Sequence, residues 1–489
     1  MDKNKMARVV SAAQARAAEK AAADYGLSED ILMESAACAL KEAALSLTEP
    51  RDRICVLCGS GGNGGDGLSL ARMLHLAGRK VDIVLPHCEK RSAQNEARLL
   101  ACRALGVHEV PVMQWDPDAY ALVFDALFGI GLSRVPTGEA AEAIRRLNEA
   151  KVFTISVDIP SGLHADTGEP LGLAVVANET LTFSLCKTGQ IVAEGRAYCG
   201  NLVVADIGLR AKEGAYAVSG DAVTLPTRKT VSHKYHYGRV RVLAGSPEMM
   251  GASLLAHESA TAALKSGAGL CTLCVPSSLR AAYQARVKEE TLCFLPDKEG
   301  KIVYDEQAIK PLFEKTGAIL LGPGMGKNEE LPKIIDYIAH HFEGTLVLDA
   351  DGLNAVAGNL AALESHTCKL ILTPHLGEFE RLCEGYLPPM PLVGRVLALA
   401  EKLNAVVAAK SATTVISDGE EVFLNTTGTP ALAKGGSGDV LGGMVAAFAC
   451  RMPPLDATVT ACYHFGKCAE AAEKVYGTES LLASHIIIK

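Results

Sequence analysis

The run of residues 435–439 reads Gly-Gly-Ser-Gly-Asp and precedes an apolar stretch near the end of the chain. Glycines at a helix start leave its free N–H groups open to a phosphate or a developing oxyanion, which the positive end of the helix dipole also favours. A carboxylate at the same place, Asp439, can accept a proton from a substrate hydroxyl. The pattern predicts a nucleotide-dependent enzyme site, and its simpler alternative is an aspartate that only caps the helix.

Four other segments of the second half carry polar or glycine-rich sequence directly after an apolar run. They are residues 322–326 (Gly-Pro-Gly-Met-Gly), 348–355 (LDADGLNA), 373–382 (TPHLGEFERL) and 410–414 (Lys-Ser-Ala-Thr-Thr). Because the carboxyl ends of parallel strands meet at one edge of a sheet, we expect these segments to lie together with Asp439.

The first half holds a second glycine-rich run, GSGGNGGDG at residues 59–67, between a strand pattern and a helix pattern. Asp125 and Asp158 also stand at the ends of predicted strands. A single aspartate at a strand end is often only a turn cap, but three such ends converge on one sheet edge, where open α/β sheets bind ligands. The first half therefore predicts a ligand site of its own.

Strand and helix patterns alternate along most of the chain. An Ala-rich segment after Ser11 stops at Gly26 and predicts an N-terminal helix. Apolar runs such as RICVLCGS and KVFTISVDIPSG then alternate with helix patterns, which predicts a Rossmann-like, doubly wound parallel sheet. The alternation is lost over residues 211–234 and resumes at RVRVLAGS. We therefore predict an α/β protein with two domains, residues 1–224 and 225–489.

Composition narrows the classes of protein. A chain of 489 residues with 49% hydrophobic content exceeds what one core usually supports. A net charge of −8, without a Lys/Arg-dense run, disfavours nucleic acid as a partner. The sequence has neither a signal-peptide pattern nor a long uncharged apolar run, so we expect no membrane contact and a cytoplasmic location.

The 15 cysteines are an odd number, and several lie in apolar runs, which predicts reduced thiols. Two CxxC pairs, Cys55/Cys58 and Cys271/Cys274, invite a metal or redox interpretation. Both pairs lie in predicted strands, where positions three apart face opposite sides. We therefore do not predict a metal site at either pair.

Four segments of the first half resemble the YjeF N-terminal domain, the NAD(P)H-hydrate epimerase: ILMESAA, GSGGNGGDGLSLAR, FDALFGIGLSR and SVDIPSGLHADTG. The resemblance implies that Asn63, Asp125 and Ser161 bind K⁺, a hard cation suited to oxygen ligands. It implies that Asp158 is the acid/base that interconverts the C6 epimers of the hydrate. The implied substrate contacts are Gly62, Asn63, Gly64, Gly65, Asp66, Gly129, Ile130, Gly131, Leu132, Ser133, Arg134, Val135 and Asp158.

Two segments of the second half, HKYHYGRVRVLAGSPEMMGASLLA and LTPHLGEFERL, resemble the ribokinase-like YjeF C-terminal domain, an ADP- or ATP-dependent NAD(P)H-hydrate dehydratase. The resemblance implies Asp439 as the catalytic base and Mg²⁺ as the ion that takes up phosphate charge. The implied hydrate contacts are Ala252, Gly324, His375 and Asp439. The implied contacts to the adenine nucleotide are Lys410, Ser411, Ala412, Thr413, Thr414 and Gly438.

Together the two resemblances imply a homo-oligomeric enzyme that epimerises the hydrates of NADH and NADPH and dehydrates the S form with ADP, or alternatively ATP, as the phosphate donor. The helix start at Asp439 is shared with many sugar and vitamin kinases. The alternative is therefore a kinase of that type, joined to an N-terminal domain that binds a ligand without catalysis.

Overall fold

The computed structural model describes residues 1–88, 90–248 and 250–486. The chain forms two compact units: an N-terminal unit, Arg8–Ala215, and a C-terminal unit of Met1–Ala7 and Tyr216–Lys489. The sequence predicted a division after residue 224 and placed the first residues in the N-terminal domain. Met6 instead lies in the core of the C-terminal unit, and the Asp2 N–H donates to the Ala222 carbonyl at 3.0 Å.

The N-terminal unit alternates strands and helices, as the sequence predicted. Its strands are β1 (Ala7–Val10), β2 (Arg53–Cys58), β3 (Lys80–Val84), β4 (His108–Val110), β5 (Leu122–Ala126), β6 (Phe153–Val157), β7 (Glu179–Phe183), β8 (Cys186–Lys187) and β9 (Asn201–Ala205). Its helices are α1 (Ala12–Ala22), α2 (Glu29–Leu47), α3 (Gly62–Leu76), α4 (Ala93–Ala104), α5 (Gly138–Glu149), α6 (Thr188–Ile191) and α7 (Gly195–Cys199).

The central sheet of this unit has the order β4-β3-β2-β5-β6-β7-β9, and all its pairs are parallel. The chain runs outward from β2 to β4 and then returns to the other side of β2 with β5. Ligands bind at such a reversal, beyond the carboxyl ends of the strands. Alternate residues of β2 pack into different apolar clusters, so that Cys55 and Cys58 lie on opposite faces of the sheet.

The C-terminal unit is a second α/β layer structure. Its strands are β10 (Ala215–Ala217), β11 (Arg239–Leu243), β12 (Leu270–Pro276), β13 (Thr291–Leu295), β14 (Asp297–Lys298), β15 (Lys301–Ile302), β16 (Ala318–Leu321), β17 (Thr345–Leu348), β18 (Lys369–Leu372), β19 (Ala405–Ala409), β20 (Thr414–Ser417) and β21 (Val422–Asn425). Its helices are α8 (Met250–Lys265), α9 (Arg280–Gln284), α10 (Glu306–Ile309), α11 (Leu331–His341), α12 (Asp351–Val356), α13 (Leu376–Cys383), α14 (Leu392–Leu403), α15 (Ser437–Ala449) and α16 (Pro454–Tyr476).

The sheet of this unit runs β13-β12-β11-β16-β17-β18-β19 in parallel and continues through the antiparallel strands β20 and β21. Helix α15 is buried over most of its length, from Val440 to Phe448, and packs against α8 and α16. This packing fixes the start of α15 beside the carboxyl ends of β17 and β19. The predicted α/β fold class with two parallel-sheet domains is confirmed.

Candidate active sites

The glycine-rich run of the N-terminal unit lies at the start of α3. The sequence predicted a loop before the helix, but α3 begins at Gly62, so Asn63 and Asp66 lie in its first turns. Close packing accounts for this early helix start, because a Cβ atom at Gly64 would lie 2.1 Å from the Gly59 carbonyl oxygen. Glycine therefore lets the helix begin directly against the end of β2.

Three predicted ligands of a cation come together beside this helix start. The Ser161 hydroxyl donates to Asp125 Oδ1 at 2.6 Å, and the Ser161 N–H donates to Asp125 Oδ2 at 2.9 Å. Asn63 Nδ2 donates to the Phe128 carbonyl at 3.0 Å, and the Phe128 N–H donates to Ser161 Oγ at 2.9 Å. The group is rich in oxygen atoms, which suits a hard cation.

The Asp125 carboxylate is fully buried, and the partners seen within residues 1–88, 90–248 and 250–486 are the neutral groups of Leu127, Ser156 and Ser161. Burial raises the pKa of Asp125, and hydrogen bonds from Ser161, Ser156 and the Leu127 N–H oppose that rise. A buried carboxylate without a counter-charge is costly, and a bound cation would supply that charge. The residues present therefore fit the predicted K⁺.

Asp158 follows β6 in a left-handed backbone conformation, with a φ of 65°. An aspartate in this region is uncommon, and such strain often marks functional positions. Its carboxylate forms an ion pair with the buried ammonium of Lys187, which also donates to Thr182 Oγ1 at 2.8 Å. Gln190 Nε2 holds the backbone by donating to the Asp158 carbonyl at 2.6 Å.

Lys187 is a site residue that the sequence interpretation missed. It ends the two-residue strand β8 and lies 29 positions after Asp158. In the sequence, Lys187 is only a single lysine at the end of the apolar run LTFSLCK. A solvent-exposed lysine at the end of a strand gives the same pattern. Its 4% exposure is visible only in the folded chain.

Asn63, Asp158 and Lys187 line a cleft of about 1620 Å³. Asp66, Asp158 and Lys187 face it, together with Glu19 from α1 and the predicted segment 129–135. Burial, followed by the negative charge of Asp158, raises the pKa of Asp66 well above its ordinary value. Burial likewise raises the pKa of Glu19. The cleft thus combines a carboxylate paired with lysine and two carboxyl groups that resist ionisation.

In the C-terminal unit, Asp439 lies in the first turn of α15. The N-cap of this helix is Gly436, with a φ of 90°, and no side chain caps the helix. The alternative of an ordinary capping aspartate is therefore not what the structure contains. Burial, and after it the negative charge of Asp349, raises the pKa of Asp439 to about 7, while Lys410 opposes the rise. A carboxyl group with this pKa can exchange protons near neutral pH.

Lys410 follows β19 and is brought to the start of α15 by two contacts. Its ammonium donates to Asp349 Oδ1 at 2.7 Å, and its backbone N–H donates to the Pro374 carbonyl at 2.7 Å. A Cβ atom at Gly438 would lie 3.3 Å from Lys410 Nζ and 3.7 Å from Asp349 Oδ2. The predicted nucleotide residues Lys410 and Gly438 are therefore neighbours.

His375 is the N-cap of α13 and forms a capping box with Glu378. The Glu378 N–H donates to His375 Nδ1 at 3.3 Å, and the His375 N–H donates to Glu378 Oε2 at 2.8 Å. The side chain of His375 remains 58% exposed, and its backbone pairs with Lys410 through an isolated bridge. His375 is thus oriented by Glu378 and accessible to a ligand.

Gly324 packs directly against α8. With a φ of 60°, it would place a Cβ atom 2.8 Å from the Ser253 N atom, so only glycine fits. Ser253 Oγ donates to the Gly324 carbonyl at 3.2 Å, which holds the predicted hydrate contacts Ala252 and Gly324 side by side. Asp351 connects this pair to the rest of the site, because its carboxylate accepts from the Gly326 N–H at 2.7 Å.

Of the remaining predicted nucleotide contacts, Ser411, Ala412 and Thr413 form the turn from β19 into β20, and Thr414 is the first residue of β20. Ser411 Oγ donates to the Thr413 carbonyl at 2.6 Å and so fixes this turn. Lys434, which the sequence left open as a phosphate contact or a solvated residue, instead donates to the carbonyl oxygens of Glu479 and Leu481.

Comparisons with known proteins decide what the two units are. A family model described as NAD(P)H-hydrate dehydratase matches residues 240–489, and one described as YjeF-related protein N-terminus matches residues 29–189. A bifunctional NAD(P)H-hydrate repair enzyme of Thermofilum pendens is 35% identical over 88% of this chain and 84% of its own length. The chain belongs to this family.

The corresponding repair enzyme of Pyrobaculum aerophilum is also 35% identical and matches 94% of this chain and 93% of its own. Among solved structures, the ADP/ATP-dependent NAD(P)H-hydrate dehydratase of Bacillus subtilis, co-crystallized with ATP/Mg²⁺, is 29% identical. That match covers 54% of this chain and 91% of the other, with a TM-score of 0.43. Membership of the repair-enzyme family confirms the predicted bifunctional enzyme. Among the described residues, no helix is long and apolar enough to cross a membrane.

Proposed function

We propose that the C-terminal unit dehydrates the S hydrates of NADH and NADPH with ADP, giving AMP and phosphate, and that the N-terminal unit interconverts the R and S hydrates. The observation that carries the proposal is Asp439, a half-buried carboxyl with a pKa of about 7 at a glycine-rich helix start beside Lys410. This combination supports the proposal of a base next to a site for phosphate.

In the dehydration, Asp439 takes the proton of the C6 hydroxyl while the hydroxyl oxygen attacks the terminal phosphorus of ADP. The bond from that phosphorus to the bridging oxygen breaks, and AMP leaves. Lys410 and the N–H groups at the start of α15 balance the negative charge of the transferred phosphoryl group. Mg²⁺, when bound, would neutralise further phosphate charge.

The phosphorylated hydrate then loses phosphate, because the lone pair of the ring nitrogen expels it from C6. Loss of a proton from C5 restores the ring double bond. In sum, the hydrate loses the elements of one water molecule, and ADP is split by them into AMP and phosphate. We propose that Ala252, Gly324 and His375 hold the hydrate, and that Ser411, Ala412, Thr413 and Thr414 hold the adenine nucleotide.

In the epimerisation, we propose that Asp158 exchanges a proton with the hydrate while Lys187 keeps the carboxylate in place. The substrate would lie in the cleft between the start of α3 and the segment 129–135. Asn63, Asp125 and Ser161 would hold K⁺, whose fixed positive charge would order the neighbouring Phe128 carbonyl and the end of β5. Burial and the negative charge of Asp158 raise the pKa of Asp66, which favours the neutral form of Asp66 beside that carboxylate.

The products of the nucleotide reaction test the proposal. Purified protein is incubated with acid-hydrated NADH, ADP and Mg²⁺, and phosphorus NMR follows the products. We expect AMP and inorganic phosphate in equal amounts to the NADH regained. In a parallel incubation with candidate sugar and vitamin alcohols in place of the hydrate, a stable phosphorylated product without phosphate release would instead favour the kinase alternative, which uses the same Asp439 and Lys410. ATP in place of ADP tests the predicted preference for ADP.

The pH dependence of dehydration follows from Asp439. Because the base must be ionised and burial raises its pKa to about 7, activity should fall as the pH drops below that value. We expect kcat/KM to fall about tenfold for each pH unit on the acid side and to level off above about pH 8. Initial rates between about pH 5 and about pH 9 measure this limb. A rate that stays constant down to about pH 5 would contradict a base with this pKa.

The cytoplasmic location and the homo-oligomeric state predicted from the sequence remain predictions. Cell fractionation tests the first, and light scattering of the purified chain tests the second.

A further inference from the structure

The segment Asp349-Ala350-Asp351 carries backbone strain next to the site. Ala350 has a φ of 50° and a ψ of −119°, a conformation that glycine adopts readily and alanine rarely. Strain of this kind is unfavourable and persists where surrounding contacts determine the conformation. Two contacts do so here: Asp349 binds Lys410, and Asp351 accepts from the Gly326 N–H at 2.7 Å.

The Asp349 carboxylate is almost completely buried, at 3% exposure, and its ion pair with Lys410 measures 2.7 Å. The same pair lies within 4 Å of the point where a side chain at Gly438 would begin. The groups that act on Asp439 through their charge are Asp349, Asp351 and Lys410. Glu378 also acts on Lys410. A cation at the start of α15 thus has two carboxylates, Asp349 and Asp439, as possible partners.

We propose that Asp349 is a positioning residue of the dehydratase, which holds the Lys410 ammonium away from Asp439 so that the carboxylate of Asp439 stays a free base. The inference rests on the proposed dehydration but concerns a residue that contacts neither hydrate nor nucleotide in that mechanism. Without Asp349, Lys410 would turn to Asp439 and form the ion pair there. Asp439 would then be a weaker base, and the Lys410 ammonium would no longer be available to bind the phosphate.

Charge interactions agree with this geometry. Burial lowers the pKa of Lys410, but Asp349 offsets this and keeps the ammonium charged. Asp349 raises the pKa of Asp439, whereas Lys410 lowers it. Asp349 therefore does two things at once: it binds the cation and it raises the proton affinity of the base.

The test compares Asp349→Asn with wild type over the acid limb of kcat/KM. We expect kcat to fall at least about tenfold and the acid limb to move down by about 1 pH unit, because a like charge near Asp439 is gone. Asp349→Glu keeps the negative charge, so the acid limb of this variant should lie at the wild-type position. The helix-capping aspartate Asp305 supplies the control, since Asp305→Asn leaves the site untouched. An unmoved acid limb in Asp349→Asn would overturn the proposal and leave a purely structural ion pair.

If Asp349→Asn does not fold, the variant Asp349→Asn with Lys410→Gln removes both members of the buried pair, which proteins tolerate better than a lone buried charge. Its acid limb should lie below that of Lys410→Gln alone, because these two variants differ only in the negative charge of Asp349 beside Asp439. An acid limb at or above that of Lys410→Gln would also overturn the proposal.

A measurement without substrate separates this inference from the proposed function. Tm is measured against pH for wild type, for Asp349→Asn and for each of these two proteins with Asp439→Asn added. The difference in Tm between each protein and its Asp439→Asn derivative gives the contribution of Asp439. A raised pKa in the folded state means that ionisation of Asp439 destabilises the fold as the pH rises from its unfolded pKa to its folded pKa. The upper end of that interval should lie near pH 7 in wild type and lower in Asp349→Asn. If wild type fails to dehydrate the hydrate, this shift still tests Asp349.

Discussion

Asp439→Asn should abolish dehydration of the S hydrate, with a loss in kcat of about 10²- to 10⁴-fold. The substitution keeps the shape of the side chain, and the carboxylate caps no helix end, so the fold should persist. What disappears is the group that accepts the hydroxyl proton at the moment of attack on ADP. The rate of NADH absorbance recovery from the purified S hydrate measures the effect.

A real helix cap supplies the matched control for this result. Asp305 accepts hydrogen bonds from the Gln307 and Ala308 N–H groups at the start of α10. Because asparagine caps helices about as well as aspartate, Asp305→Asn should keep both the fold and the wild-type kcat. If Asp439→Asn kept wild-type kcat, as Asp305→Asn is expected to do, Asp439 would not be the base.

Lys187→Met should stop epimerisation while dehydration continues. The Asp158 carboxylate would lose its partner in the cleft, and we expect the rate of interconversion to fall by about 10²- to 10⁴-fold. With a mixture of R and S hydrates, NADH absorbance should rise at the wild-type initial rate and then stall when the S hydrate is used up. The initial phase is an internal control, because it reports the C-terminal unit of the same molecules.

Removing one member of a buried ion pair can cost about 3–5 kcal/mol, so misfolding has to be separated from lost chemistry. Asp158→Asn with Lys187→Met removes both charges and should fold while remaining without epimerase activity. Complete recovery of NADH from the mixture at the wild-type rate in either variant would contradict the role given to the Asp158–Lys187 pair.

The alternation of apolar runs was enough to predict the α/β class and both series of strands, because buried parallel strands are apolar on both faces. Local patterns placed the helix starts less well. The run 59–67 looked like a loop since its glycines favour no helix, yet close packing against Gly59 makes Gly62 the first helical residue. Nothing in the sequence of residues 1–7 indicates that Met6 packs into the core of the C-terminal unit.

Pairs of residues distant in sequence were the other limit. The motif containing Asp349 was recognised, and so was Lys410, but the ion pair joins positions 61 residues apart. Lys187 escaped notice for the same reason, since only its contact with Asp158 distinguishes it from a surface lysine. The strained conformation of Ala350 leaves no trace in composition or periodicity. Such features depend on the assembled sheet edges.

The most direct test of the account is the recovery of NADH absorbance from an R/S mixture of its hydrates, with wild-type protein, ADP, Mg²⁺ and K⁺. Both units must act for the reaction to finish, because only the S hydrate is dehydrated and the R hydrate must first be converted. We predict complete recovery, with one AMP and one phosphate formed for each NADH. No recovery, or recovery without AMP formation, would contradict the account.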